Sequence, residues 1–318
     1  MRHLIFFIFA SLSGSSFAFN CELAKTTVEL DICSNNSLKA KDDELNEKYK
    51  YILGISENKD QVKLSQREWL AQRDASCGSD ELGSTRVSCL DEIIDERLHY
   101  FSPKVIRSNE GFLELVPYIG FQKANEDGRT NVDIKLIKFN KPNTKGQKIF
   151  NESMNNIISE ATWLAEPVEE SDMYFISMQS QLNYVSPKFI SVTINDGSGY
   201  PHTAGAQGSI HTVNINIKEG RHAEFRDVFK EGSLDLIKSS CEKQIRNNKL
   251  EMGIEPDRKS YLPAIEHKVQ DIDAWLLTDT RATLIFGPYE VGAGVEGFHE
   301  CDFTGDTYKQ IIIDDFFK

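Results

Sequence analysis

The sequence predicts an α+β protein in two parts: a disulfide-stapled three-helix module, then a mixed α+β domain with a largely antiparallel sheet. Three observations carry this expectation. Helical hydrophobic stripes fill the chain up to about Tyr100, and strand-like alternation dominates from about Phe112. Six cysteines divide four to the first part and two to the second. At 318 residues, with 40% apolar and 27% charged content, the chain can bury two cores of ordinary globular composition.

The first twenty residues, MRHLIFFIFASLSGSSFAFN, read as a secretory signal peptide (1–18). A short basic start precedes an apolar run from Leu4 to Leu12, and Ser16 and Ala18 suit cleavage after Ala18. The run is too short for a bilayer span, and no later segment is apolar enough for one. A periplasmic or secreted protein is therefore expected, and in such an oxidising compartment an even cysteine count reads as disulfides.

The helical module is expected over 19–101. Asn36 or Ser37 can cap a first helix whose apolar stripe is Leu38, Leu45, Tyr49, Ile52 and Leu53. Gly54 and SENKD break it. A second helix carries Val62, Gln66, Trp69, Leu70 and Arg73 to Cys77, and a third carries Leu90, Ile93, Ile94, Arg97, Leu98 and Phe101. So thin a core gains from covalent ties. Four cysteines allow three pairings. An antiparallel hairpin of the first two helices favours Cys33 with Cys77 and Cys21 with Cys89, as nested bridges. Trp69 reads as the largest side chain of that core; Arg67, Glu68 and Arg73 read as a solvated face with local pairs.

Ser102-Pro103 opens a linker (102–111), and an α+β domain is expected over 112–318. Strand patterns VDIKLIKF, MYFISMQSQLNYV, KFISVTIND, SIHTVNINI and ATLIFG alternate with turn signals EDG, KPNTKG, NDGSG and KEG. Helical patterns interrupt at FNESMNNIISEATWL and SLDLIKSSCEKQIRNN. A bridge between Cys241 and Cys301 would pin the second of these helices to the sheet.

The segments CELAKTTVELDIC, SLKAKDDELNEKYKYIL and QREWLAQRDASC resemble the N-terminal domain of the lysozyme-inhibitor LprI family, over about residues 21–101. GSGYPHTAGAQGSIHTVNINIKEGRHAEFRDVF and WLLTDTRATLIFGPYEVGAGVEG resemble the C-terminal domain shared by RsiV and PdaC, over about 112–318. The second likeness has two departures. The family turn usually ends in His where this chain has Ala204-Gly205-Ala206-Gln207, and its later loop continues Pro-Tyr-Ala where Ala293-Gly294-Val295 stands here. In RsiV-type members these turns lie where lysozyme is engaged, so the departures bear on ligand and affinity rather than on fold.

An enzyme needs a catalytic set. His202, His211, Glu290, His299 and Glu300 could be drawn as a metal site, but their spacing matches no ligand pattern such as HExxH. No GxSxG and no phosphate-binding glycine loop occurs. No catalysis, no cofactor and no metal are therefore expected. The resemblance to PdaC concerns its non-catalytic part and implies no deacetylase.

The resemblances imply an exported, non-enzymatic protein that binds lysozyme or another cationic muramidase and inhibits it by occupying the cleft. The net charge of −13 argues against nucleic-acid binding and suits steering toward a basic partner. The expected contact residues are Tyr200, His202, Tyr289, Glu290, Gly292, Gly294 and Glu296, on two glycine-shaped turns. Hairpin closure alone would also explain those glycines. Two other readings stand beside inhibition: a peptidoglycan-binding or envelope-assembly module, and an immunity protein against a peptidoglycan-degrading toxin.

Overall fold

The computed structural model describes residues 21–79, 83, 85–108, 111–122, 131–164, 175–199 and 207–317. The proposed signal segment lies outside them. The chain divides into two compact units, Met1–Gly54 with Trp69–Phe101, and Ile55–Glu68 with Ser102–Lys318.

The first unit draws on four helices rather than three: α1 (Thr27–Ser34), α2 (Asn36–Ile55), the end of α3 (Lys59–Cys77) and α4 (Arg86–Tyr100). The extra one, α1, has a capping box. Thr26 Oγ1 accepts the Glu29 N–H at 3.2 Å and the Glu29 carboxylate accepts the Thr26 N–H at 2.9 Å. One residue, Asn35, separates α1 from α2, and its side-chain oxygen accepts from Ser37 and Leu38. Asn35, not Asn36 or Ser37, therefore caps α2.

That short helix changes the disulfides. The bridges are Cys21–Cys33 and Cys77–Cys89, each spanning 12 residues, in place of the nested pairing expected from a simple hairpin. Cys33 ends α1 and so closes on the segment just before it. Cys77 ends α3, and Cys89 sits in the first turn of α4. Each is a local staple, contributing about 3 kcal/mol through the unfolded chain.

Buried arginines complete the unit. Arg86 donates to Asp31 of α1 at 3.0 Å and to the carbonyls of Cys77 at 3.1 Å and Ser79 at 2.9 Å. It thereby satisfies an orphan acceptor at the end of α3. Trp69, 9% exposed, has the guanidinium groups of Arg73 and Arg97 each 5.6 Å from its ring centre. Arg97 also lies 4.4 Å from the rings of Tyr100 and Phe101. Arg67 is on the surface as expected, but Arg73 is buried, because its guanidinium stacks on Trp69 and pairs with Asp74 at 2.7 Å.

The second unit is built on a seven-stranded sheet in sequential order: β1 (Lys104–Ser108), β2 (Gly111–Gln122), β3 (Asn131–Phe139), β4 (Phe175–Val185), β5 (Phe189–Gly199), β6 (Gln207–Asn216) and β7 (Arg221–His222). β1 falls within the stretch expected to be a linker. All pairings are antiparallel except β3 with β4, which are joined through α5 (Lys145–Leu164). Phe150 and Met154 of α5 pack with Ile190, Val192, Ile194 and Ile215 on one face.

The other face is covered too. A second layer comprises α6 (Phe225–Val228), α7 (Leu234–Glu251), α8 (Arg258–Lys268), α9 (Gly305–Ile311) and a three-stranded sheet of β8 (Trp275–Leu277), β9 (Arg281–Phe286) and β10 (His299–Thr304). Trp275, Phe229 and Phe303 form its centre. Ser191, Thr212 and Asn214 of the large sheet are buried and bond to backbone between Ile272 and Leu277, with Asn214 donating to the carbonyls of Ile272 and Trp275 at 2.8 Å. Those polar bonds fix the register between the layers. Cys241 of α7 is bonded to Cys301 of β10, as expected.

Candidate partner-binding loop

β9 and β10 pair up to Phe286 and His299, and the twelve residues between them form the Gly287–Phe298 loop. Val291 is fully buried and anchors its middle. The Glu290 carboxylate accepts the Gly287 N–H at 2.6 Å and forms an ion pair with Lys268 of α8. One Glu296 oxygen accepts the Ala293 N–H at 2.7 Å, and the other meets Lys249 of α7 at 2.5 Å. The loop is tied at three points inside the second unit, so its turns are held rather than loose.

The glycines serve close approach as well as turning. A β-carbon at Gly292 would sit 2.3 Å from the Glu296 carboxylate, and one at Gly294 would sit 2.2 Å from the Tyr289 ring. The first would push Glu296 off Lys249; the second would displace the tyrosine. Tyr289 itself has φ of 69°, in a region a side chain rarely adopts.

The most exposed side chains of the loop are apolar. Tyr289 is 81% and Val295 95% exposed, and Phe298 lies beside them in sequence with part of its ring in solvent. Of the expected contact residues, Tyr289 projects outward. Glu290 is exposed but paired with Lys268, and Gly292 and Gly294 shape the backbone. Glu296 is not available to a partner: its side chain is 7% exposed because Lys249, at 3%, draws it inward. Tyr200 and His202 lie outside the described residues. Val295 and Phe298 were not among the residues expected from sequence, although both are apolar side chains beside the loop's glycines.

His299 lies under the loop, nearly closed to solvent, with Nε2 3.2 Å from Glu296 Oε2 but outside hydrogen-bonding alignment. Burial, and then the Lys249 charge, hold this imidazole below the ordinary histidine range, while Glu296 opposes them. The hydrogen bond from Lys249 holds the Glu296 carboxyl below its usual range. Lys249 and Glu296 thus form an ion pair beside an imidazole whose protonation burial and the Lys249 charge oppose.

A second polar cluster lies where β5 and β6 pair. His211 Nε2 is 3.6 Å from Asp196 and 2.9 Å from Ser209 Oγ. A Ser–His–Asp relay needs the hydroxyl and the carboxylate on opposite ring nitrogens, and here one nitrogen faces both. The hydrogen bond with Asp196 raises the His211 pKa. Nearby, His211, Thr212, Lys268, Asp271 and Asp273 line a recess of about 280 Å³. Its cations are already engaged, Lys268 with Glu290 and His211 with Asp196. Among the described residues no group of three or more His, Cys, Asp or Glu is arranged to hold a metal, and no helix is long and apolar enough to cross a membrane.

Fold and loop together define a disulfide-braced α+β protein whose candidate site is a stiff, exposed loop. Residues 20–101 match the family described as "Lysozyme inhibitor LprI", and residues 226–304 match "Protein of unknown function (DUF3298)". The chain thus carries an LprI domain followed by a DUF3298 domain, and the likeness to RsiV and PdaC is consistent with the latter. The DUF3298 match includes the Gly287–Phe298 loop but begins after Tyr200 and His202. A DUF3298 family protein from Pseudomonas aeruginosa PAO1 is 11% identical, with a TM-score of 0.45, over 68% of this chain and 96% of its own. One from Bacteroides fragilis NCTC 9343 is 10% identical, with a TM-score of 0.41, over 67% and 94%. No curated protein matches the sequence.

Proposed function

We propose that the protein is an exported, non-enzymatic inhibitor of lysozyme or a related cationic peptidoglycan hydrolase, acting by occupation of the enzyme's cleft. The observation that carries this reading is the LprI match over residues 20–101, whose family is described as a lysozyme inhibitor. Three disulfides suit an oxidising compartment outside the cytoplasm. The net charge of −13 favours encounter with a basic enzyme.

The contact is assigned to the Gly287–Phe298 loop. Its acids are turned toward Lys268 and Lys249, so attraction over distance comes from the whole surface, while the close contact is made by Tyr289, Val295 and Phe298. A rigid apolar tip loses little conformational freedom on binding. Purified chain lacking residues 1–18 is titrated against c-, g- and i-type lysozymes at low salt, alongside Tyr289→Ala/Val295→Asp. Inhibition by the wild type and its loss in the double variant are expected. No inhibition and no binding of any lysozyme overturns the function, and inhibition untouched by the double variant overturns the loop assignment.

A further inference from the structure

The ion pair that holds the loop has a titratable neighbour placed to disturb it. Lys249, Glu296 and His299 come from α7, the loop and β10, and all three side chains are nearly closed to solvent. The charged groups facing His299 are Lys249 and Glu296; from β9 its register partner is Phe286, which carries no charge. At the loop's other end the facing charges are Lys268 of α8 and Glu290.

We propose that the Gly287–Phe298 loop is a pH-released latch: a proton on His299 puts a second buried cation against the one Glu296 carboxylate, and the loop lets go of α7. The inference deepens the assignment of this loop as the partner contact, and rests on it.

The sign follows from the surroundings. Enclosed, His299 sits beside the Lys249 ammonium and its Nε2 lacks an aligned acceptor, so the closed loop resists protonation. Open, the imidazole is in water and takes a proton at its ordinary value, near pH 6.5. Below that pH the open form binds the proton that the closed form refuses, so acid favours opening. Glu296 adds to the effect at lower pH, since its charge is needed only in the closed form. Released, the Ala293 N–H loses its carboxylate acceptor and the turn bonds from Glu296 to Ala293 and from Gly297 to Gly294 go with it. Tyr289 and Val295 then no longer share a fixed geometry, and a partner engaged at neutral pH dissociates in acid.

The test follows the loop's own amides. Hydrogen-exchange protection factors of Ala293, Glu296 and Gly297 are measured by NMR from pH 7.5 to 4.5 in the full mature chain and in His299→Gln, which cannot become cationic. In the wild type, protection is expected to fall about tenfold or more as the pH drops below 6.5, the equivalent of one unit of pKa difference, while H299Q stays level. Protection retained down to pH 4.5, or lost equally in both proteins, overturns the latch. Should H299Q not fold, the wild-type His299 ring is titrated directly. A midpoint below 6.5 shared with the loop amides supports the latch, and one at or above 6.5 overturns it. Because neither readout involves a lysozyme, a failure to bind lysozyme would bear on the binding assignment alone.

Discussion

Glu296→Gln isolates a single charge in a pair that water scarcely reaches. The side chains of Lys249 and Glu296 are 3% and 7% exposed and meet at 2.5 Å. The amide keeps the volume, and its oxygen still suits the Ala293 N–H, so the ammonium of Lys249 is left enclosed without an anion. Removing one partner of a buried ion pair costs about 3–5 kcal/mol. The pair lies beneath a surface loop that water enters once it opens, which places the expectation at the lower end, about 3 kcal/mol. For a unit of roughly this size that corresponds to a fall in Tm of about 6–12 °C. Urea titration of E296Q should show the loss as a lower midpoint with an unchanged slope. The double variant Lys249→Met/Glu296→Leu fills the space without charge and should lie within about 1 kcal/mol of wild type. A loss in E296Q under about 1 kcal/mol would mean that the pair behaves as a surface pair, and the account of a clamped loop would fail. A double variant no better than the single one would be equally damaging, because the cost would then lie in shape rather than in a stranded charge.

Trp69→Ala should cost about 3–5 kcal/mol, since it removes the ring on which two enclosed guanidinium groups stack; calorimetry of the mature chain measures it. Cys241→Ser/Cys301→Ser removes a cross-link of sequence separation 60 and should lower stability by about 4 kcal/mol in urea titration, more than opening either 12-residue staple. His211 works oppositely to His299. Its pKa is raised by the hydrogen bond with Asp196, so its stabilising contribution is full below about pH 6.5 and is lost as the pH rises through the higher folded value. Urea midpoints of wild type should therefore decline above pH 6.5 in a way that His211→Asn does not; parallel profiles would count against the pair.

The division into helices and sheet was legible because it rests on hydrophobic period alone. The stripe of Leu38, Leu45, Tyr49 and Ile52 and the alternation in KFISVTIND need no partner to be recognised. The disulfide pairing was not, and a single short helix is the reason. Thr26 and Glu29 carry a capping box that announces α1, and once α1 stands between Cys21 and Cys33 each of the four cysteines has its mate twelve residues away. Arg73 was misread for a related reason. A charged residue on a helix is taken as solvated unless something shields it, and the shield here is the Trp69 ring, which Arg73 shares with Arg97 from another helix.

The shape of the candidate loop was legible in its glycines and the pairing of its acids was not, and both have one cause. Glycine reports on backbone, which is local, so GPYEVGAGVEG was recognisable as a shaped turn. A carboxylate reports on whatever cation the fold brings to it. Lys249 and Lys268 come from α7 and α8, tens of residues upstream, and together they convert the loop's acids from a presented charge into fasteners. Fastening in turn gives the exposed tyrosine and valine their rigidity. An apolar tip on a freely moving loop would lose much of its binding energy in becoming ordered, whereas one held by buried charge keeps it. That same buried charge, with a histidine enclosed beside it, is what couples the tip to the acidity of its surroundings.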